Sequence, residues 1–217
     1  MQPWRHAKLS AKRRGTNWRD ELPVHEFIDS AKAACPDLRH RILLHNSDLG
    51  PALARLAFPD VENVETIIRA HVEEDVRACP RLANWVPEIP VCKFRWRAPD
   101  DATLVKQITE FHGVDDPLHA QRILDLLCMA EACLPGRQPL ARALLMNSFG
   151  PVLVRQIFGP AYAVGSRIID PSWIAEGIII ASFGRIWSLS DVLKGFPMSL
   201  PDKATKTDSE YDLRQNP

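Results

Sequence analysis

The chain has 217 residues, enough for one large or two small domains, and its 46% hydrophobic and 25% charged content is that of ordinary soluble globular material. Lys and Arg total 27 and Asp and Glu total 27, so whole-chain charge argues for neither a nucleic-acid nor a membrane partner. The longest apolar stretch, Gly177 to Phe183, lies between Glu176 and Arg185, far short of the ~20 residues that span a bilayer, and reads as a core helix.

In chain order, the first predicted helix covers residues 4–14 and ends at Gly15. Residues 1–19 hold Arg5, Lys8, Lys12, Arg13, Arg14 and Arg19 and no acid. This segment reads as a solvated basic helix, because a polyanion site usually adds aromatics or more regularly spaced Lys and Arg; nucleic acid is therefore not expected as a partner. Pro23 stands near the start of a second helix, 24–34. Asp37 is positioned to cap a third, 38–46, and Gly50-Pro51 opens a fourth, 52–58. Apolar residues at 64, 67, 68, 72 and 76 predict a long helix over 64–79, and a short one follows at 82–86. Alternating Cys92, Phe94 and Trp96 with Lys93, Arg95 and Arg97 predicts a short strand or extended linker. Further helices are predicted over 102–111, 118–133, 140–148, 152–158 and 172–187, with a short one at 191–193. Residues 199–217 lack apolar periodicity and are expected to be disordered.

Two stretches one hundred residues apart read alike. Gly50-Pro51-Ala52-Leu53-Ala54-Arg55-Leu56-Ala57-Phe58 and Gly150-Pro151-Val152-Leu153-Val154-Arg155-Gln156-Ile157-Phe158 share five of nine positions. The match extends back through Asn46-Ser47 and Asn147-Ser148 with one residue of slip. Leu82 to Pro90 corresponds to Leu189 to Pro197 at a constant offset of 107. The fold expected is all-α: two tandem helical units of about 80–90 residues forming a pseudo-symmetric pair. The boundaries are residues 1–90 for a His-containing unit, 91–101 for a linker, 102–198 for a degenerate repeat and 199–217 for the tail.

The copies differ in their ionisable groups. His40 aligns with Ala141 and His45 with Met146, whereas Arg41 keeps a counterpart in Arg142. The turn His71-Val72-Glu73-Glu74-Asp75 aligns with Ile178-Ile179-Ile180-Ala181-Ser182. Residues four apart share a helix face, so His25 points with Asp29 and His71 with Asp75. Three helices then aim His25, His40 and His71 at one point. Neutral imidazoles beside carboxylates suit a divalent metal such as Zn²⁺ or Mn²⁺, with Asp29 as a further ligand. A shared ion at ~2.1 Å from each ligand requires these imidazole nitrogens within about 3–4 Å of one another. His40 and His45, five apart, diverge by roughly 140° on an ideal helix, so His45 stays outside that set.

The stretch from His6 to Val86 resembles an uncharacterised family of small bacterial and phage proteins, a domain of unknown function. The residues that carry the resemblance are His6-Ala7 with Ser10-Ala11; Leu22-Pro23-Val24-His25 with Asp29, Ser30 and Lys32; Asp37 with Arg39-His40-Arg41 and His45; Gly50 and Phe58; and His71-Val72 with Glu74-Asp75 and Trp85. It implies no established activity, only that these polar residues form a shared site. The chain departs from that pattern at Asn46, where the family tends to carry a second histidine.

Two functions follow. The first is metal-dependent hydrolysis, with Glu74 or Asp75 as general base and Arg39 or Arg41 holding an anion. The second is a non-catalytic helical interaction module acting through a protein partner or self-association, with the second unit supplying the contact surface. Five cysteines without a C-x-x-C pair, and no apolar run after Met1, point to a reducing cytoplasm.

Overall fold

The computed structural model describes residues 2–86, 97, 100–113, 117–164 and 167–199. The strand or linker expected at 92–97 lies outside the described residues except for Arg97, and so does the expected disordered tail from residue 200. Among the described residues the fold is all-α apart from one two-stranded hairpin. It divides into two compact units, one of residues 1–91 with the chain from Gly195 onward, the other of residues 92–194.

In the first unit, α1 (Pro3–Arg14) starts on a proline and buries His6, Ala7, Ser10 and Ala11, the one- and four-residue spacing of a helix face. Gly15 ends it at φ 69°, donating its N–H to the Ala11 carbonyl. Asn17 then caps α2 (Trp18–Asp29) by accepting from the Arg19 N–H, and Asp20 and Glu21 favour its first turn electrostatically. This cap places the helix start at Trp18, not at Val24, and Pro23 lies inside the helix. The helix expected over 38–46 is shorter and composite. Asp37 caps a 3₁₀ turn, Leu38–His40, that runs into a single α-turn, α3 (Arg41–Leu44). α4 (Leu49–Ala57), α5 (Val64–Val76) and α6 (Leu82–Trp85) complete the unit. α1, α2 and α5 pack on one another, and α4 closes on α2 and α5. Val24, Ile28, Ile42, Leu43, Leu44, Leu53, Ile68 and Trp85 fill the core.

The second unit holds α7 (Asp101–His112), α8 (Pro117–Cys128), α9 (Ala130–Cys133), α10 (Gln138–Leu145), α11 (Gly150–Phe158), α12 (Pro171–Phe183) and α13 (Leu189–Val192). The helix expected over 118–133 is divided at Met129. Outside every expected element lies the antiparallel hairpin β1 (Tyr162–Val164) and β2 (Arg167–Ile169), paired Tyr162 to Ile169 and Val164 to Arg167. Its signal was the pair Gly165-Ser166 between two short β-prone runs. α12 packs on α7, α8 and α11, with Leu104, Leu127, Leu144, Leu153, Ile174, Ile178 and Ile179 fully or nearly fully buried.

The Gly-Pro stretches have a common local construction. Asn46 donates its side-chain amide to the Ile42 and Leu43 carbonyls and accepts from the Gly50 N–H. Asn147 donates likewise to Ala143 and Leu144 and accepts from the Phe149 N–H. The next residue donates its backbone N–H across the unit, Ser47 to the Pro80 carbonyl and Ser148 to that of Trp187, each at 2.7–2.8 Å. Asn46 is thus a buried splice between α3 and α4, which accounts for an amide standing there.

Candidate metal centre

Four side chains from three places in the first unit meet. α5 presents His71 and Asp75 one turn apart on one face. α2 ends on Asp29. His45 is the residue that closes α3, at φ −92° and ψ 61°. One ligand atom from each of Asp29, His45, His71 and Asp75 lies within 4.8 Å of all the others. The Asp29 Oδ1 atom is 3.6 Å from His45 Nε2 and 3.9 Å from His71 Nε2, and Asp75 Oδ2 is 3.5 Å from His45 Nε2. His45 and His71 are fully buried, and Asp29 keeps 9% of its surface.

A ring of further groups holds these four. His25 Nδ1 and His71 Nδ1 are 2.8 Å apart, so one nitrogen donates to the other. His25 Nε2 faces Glu21 at 3.8 Å, and Glu21 is held in turn by Thr16 and Arg14. His40 donates Nδ1–H to the Asp37 carbonyl at 2.5 Å, since a carbonyl can only accept. A neutral His40 therefore presents an unprotonated Nε2, 4.0 Å from Asp29 Oδ1. His6 spans the acids of α5: Nδ1 is 2.7 Å from Glu74 Oε2 and Nε2 is 3.1 Å from Asp75 Oδ1. Arg41 reaches Asp75 Oδ2 at 3.2 Å, and Arg13 reaches Glu74 Oε1 at 2.8 Å.

The electrostatics sort these groups by charge. Burial drives His71 well below the ordinary imidazole range, reinforced by the neighbouring rings of His45, His6 and His25. Burial likewise lowers His45 and His40, and brings His25 down to about 4. Burial opposes a charge on Asp75, but the adjacent His45 and His6 rings and the Arg41 guanidinium outweigh it and hold the carboxyl far below its usual value. His6 is the exception among the histidines: burial opposes its charge, yet Asp75 and Glu74 together raise it. The centre thus offers neutral imidazoles and an ionised carboxylate, the forms that bind a metal.

It also leaves polar atoms unserved. Both ring nitrogens of His45, His71 Nε2, His25 Nε2 and Asp29 Oδ2 are buried without a hydrogen-bond partner among the described residues. Buried polar atoms normally find partners, so such a concentration stands out. The donor set, imidazole nitrogen with carboxylate oxygen, fits a divalent transition metal.

Against the sequence reading, His71 and Asp29 fall in the group of four and His25 touches it through His71. His40 stands at its edge, and His25, His40 and His71 do not themselves form the group. Asp75, nominated as a base, lies inside it. Glu74 is engaged by His6 and Arg13, and Arg41 by Asp75. The ideal-helix geometry that separates His45 from His40 does not apply, because His40 ends a 3₁₀ turn and His45 has left helical conformation. Their ring centroids are only 5.7 Å apart. The sequence signal at His45 is that it falls against Met146 when the two Gly-Pro stretches are written together. His6 was visible only as part of the family motif. At the aligned positions of the second unit, Ala141, Met146, Ile178 and Ser182 are all buried, and Arg142 forks onto Asp101 at 2.7 and 3.0 Å.

No curated protein and no solved structure matches the chain. Residues 1–96, which contain every group of this centre, match the family model described as Domain of unknown function (DUF6915).

Proposed function

We propose that the first unit holds a divalent metal ion, Zn²⁺ or Mn²⁺, and acts as a metal-dependent hydrolase. The observation that carries this is the buried convergence of Asp29, His45, His71 and Asp75 within 4.8 Å. Structural zinc sites favour cysteine and fill their coordination, whereas mixed histidine–carboxylate sites are typical of centres that keep a position for water or substrate. An ion there supplies an activated water and a polarised ester or phosphoester bond.

The protein's own groups then have distinct tasks. His25 orients His71 through the Nδ1 pair, so that His71 Nε2 faces the centre. His6 and Arg41 hold Asp75 from two sides. His40, with its proton fixed on Nδ1 by the Asp37 carbonyl, faces the centre with an acceptor nitrogen that takes the proton released from water. Arg41 keeps 21% side-chain exposure and is placed to meet an anionic substrate group. Glu21, the outer neighbour of His25, lines a cleft of about 470 Å³ together with Arg14, Asp20, Asp60 and Glu62, which brings solvent to that side.

The test is elemental analysis of the purified protein after dialysis against Zn²⁺ or Mn²⁺. About one ion per chain is expected, lost on combined His45→Ala and His71→Ala substitution, with hydrolysis of bis(4-nitrophenyl) phosphate lost in parallel. Wild-type protein that retains no ion overturns the reading, as does a variant that keeps its ion.

One observation favours the alternative of a non-catalytic interaction module. Phe111 and Ile168 are 81% and 79% exposed, and Trp173 is 59% exposed on α12, a largely apolar helix. Such side chains serve a contact surface on the second unit, and on that reading the ion is structural. A metal-loaded protein inert to every ester and phosphoester probe selects it. The matched splices at Asn46 and Asn147 support a duplication behind both readings.

A further inference from the structure

The basic first helix has an organisation its charge count does not reveal. Its inner face is buried, so Trp4, Arg5, Lys8 and Lys12 stand together on the outer one at helical spacing. The reversal at Gly15 and the Asn17 cap fold α2 back along α1 and bring Trp18 to the same place. Lys8 Nζ then lies 4.9 Å from the Trp4 ring centre and 5.2 Å from that of Trp18. Arg5 stacks on Trp4 at 5.2 Å and Arg19 on Trp18 at 4.8 Å. Arg13 and Arg14 are neutralised by Glu74 and Glu21, but none of Arg5, Lys8, Lys12 and Arg19 has a carboxylate partner among the described residues. Of the nearby acids, Glu21 is buried and Asp20 is exposed beside Arg19.

We propose that this face of α1 and the start of α2 binds single-stranded nucleic acid. Two indoles separated by a lysine, flanked by unpaired cations, provide what sequence-tolerant strand binding uses: flat surfaces for bases and charges for the phosphates between them. The cations that rest on the rings are long, exposed side chains, free to swing to a phosphate as a base takes their place. A duplex keeps its bases stacked inside and cannot use the indoles. A lipid surface needs a broad apolar stripe to sink, and the exposed apolar side chains of α1 are only Trp4 and Leu9. The proposal is independent of the metal centre, which faces inward from α1 through His6.

The probe is an oligothymidylate of about twenty nucleotides, added in EDTA while tryptophan fluorescence and electrophoretic mobility are followed. Four phosphate contacts predict a slope of about −3 for log affinity against log salt, or about 50-fold weakening between 50 and 200 mM. Trp4→Ala and Trp18→Ala are each expected to weaken binding roughly 5- to 150-fold, the range of one lost base stack. Lys8→Glu weakens it with both indoles retained, so the result stands even where Trp18→Ala fails to fold. Lys106→Glu, the same charge change on α7, leaves it unchanged. No binding by the wild type overturns the proposal. So does equal weakening by Lys106→Glu, or a preference for a duplex of the same length or for phosphatidylserine vesicles.

Discussion

At the residue scale, the centre depends on which nitrogen of each histidine carries the proton. His40 is settled by the Asp37 carbonyl. His71 is coupled to His25, whose own Nε2 faces Glu21. If His71 Nε2 binds the ion, its Nδ1 keeps the proton and donates it to His25, which then holds its proton on the Glu21 side. His25 is on this reading a positioning residue rather than a ligand. His25→Ala should weaken Zn²⁺ affinity about 10- to 100-fold while leaving the number of coordinating atoms unchanged. Competition titration with a chromogenic chelator measures the first and X-ray absorption the second. Unaltered affinity, or a lost coordinating nitrogen, would reject the assignment.

At the element scale, the repeated Gly-Pro is explained by backbone proximity rather than by chemistry. A Cβ on Gly50 would collide with the carbonyl oxygen of Leu44, and one on Gly150 with that of Leu145. In both places the chain leaves a short helix, is spliced by an asparagine and starts the next helix against the end of the previous one. Neither glycine has a positive φ, so the requirement is steric. Gly50→Ala and Gly150→Ala should each destabilise the protein by about 1–3 kcal/mol, read as a lower urea midpoint. A loss below about 0.5 kcal/mol, the ordinary range of surface changes, would show that the neighbouring carbonyl yields freely. The elements also show where local signals sufficed. Gly15 and Gly113 end α1 and α7 in left-handed conformation, and Asp100 and Asp170 cap α7 and α12, as their residue types favour. The composite α3 was harder to foresee, because its apolar residues at 42, 43 and 44 fit an ordinary helix equally well.

At the scale of the whole molecule, two compact units each bury their own core, yet among the described residues only the first concentrates ionisable groups in it. Buried polar clusters cost free energy unless something satisfies them, and the second unit avoids that cost with Ala141, Met146 and Ile178. A ligand that binds only the folded first unit stabilises that unit by mass action. Saturating Zn²⁺ should therefore slow hydrogen exchange at the amides of Val24, Leu43 and Val72 and leave those of Leu104, Leu144 and Ile178 as they were. Mass-spectrometric exchange with and without the metal checks this. Equal protection in both units, or none in the first, would contradict a centre confined to residues 6–75.

The sequence by itself determined the all-α class, most helix ends and the region where ionisable residues gather, because caps, prolines, glycines and apolar spacing act within a few residues. It also held a clue to His45, in the Met146 that falls against it when the two Gly-Pro stretches are written together. Only the tertiary structure decided which side chains meet. His45 joins Asp29 because the chain leaves helical geometry after Leu44, and His25 meets His71 across two helices through a nitrogen pair. Trp18 reaches Lys8 because α2 folds back on α1. Each of these contacts depends on backbone directions set by packing between distant segments, and no periodicity within one segment encodes them.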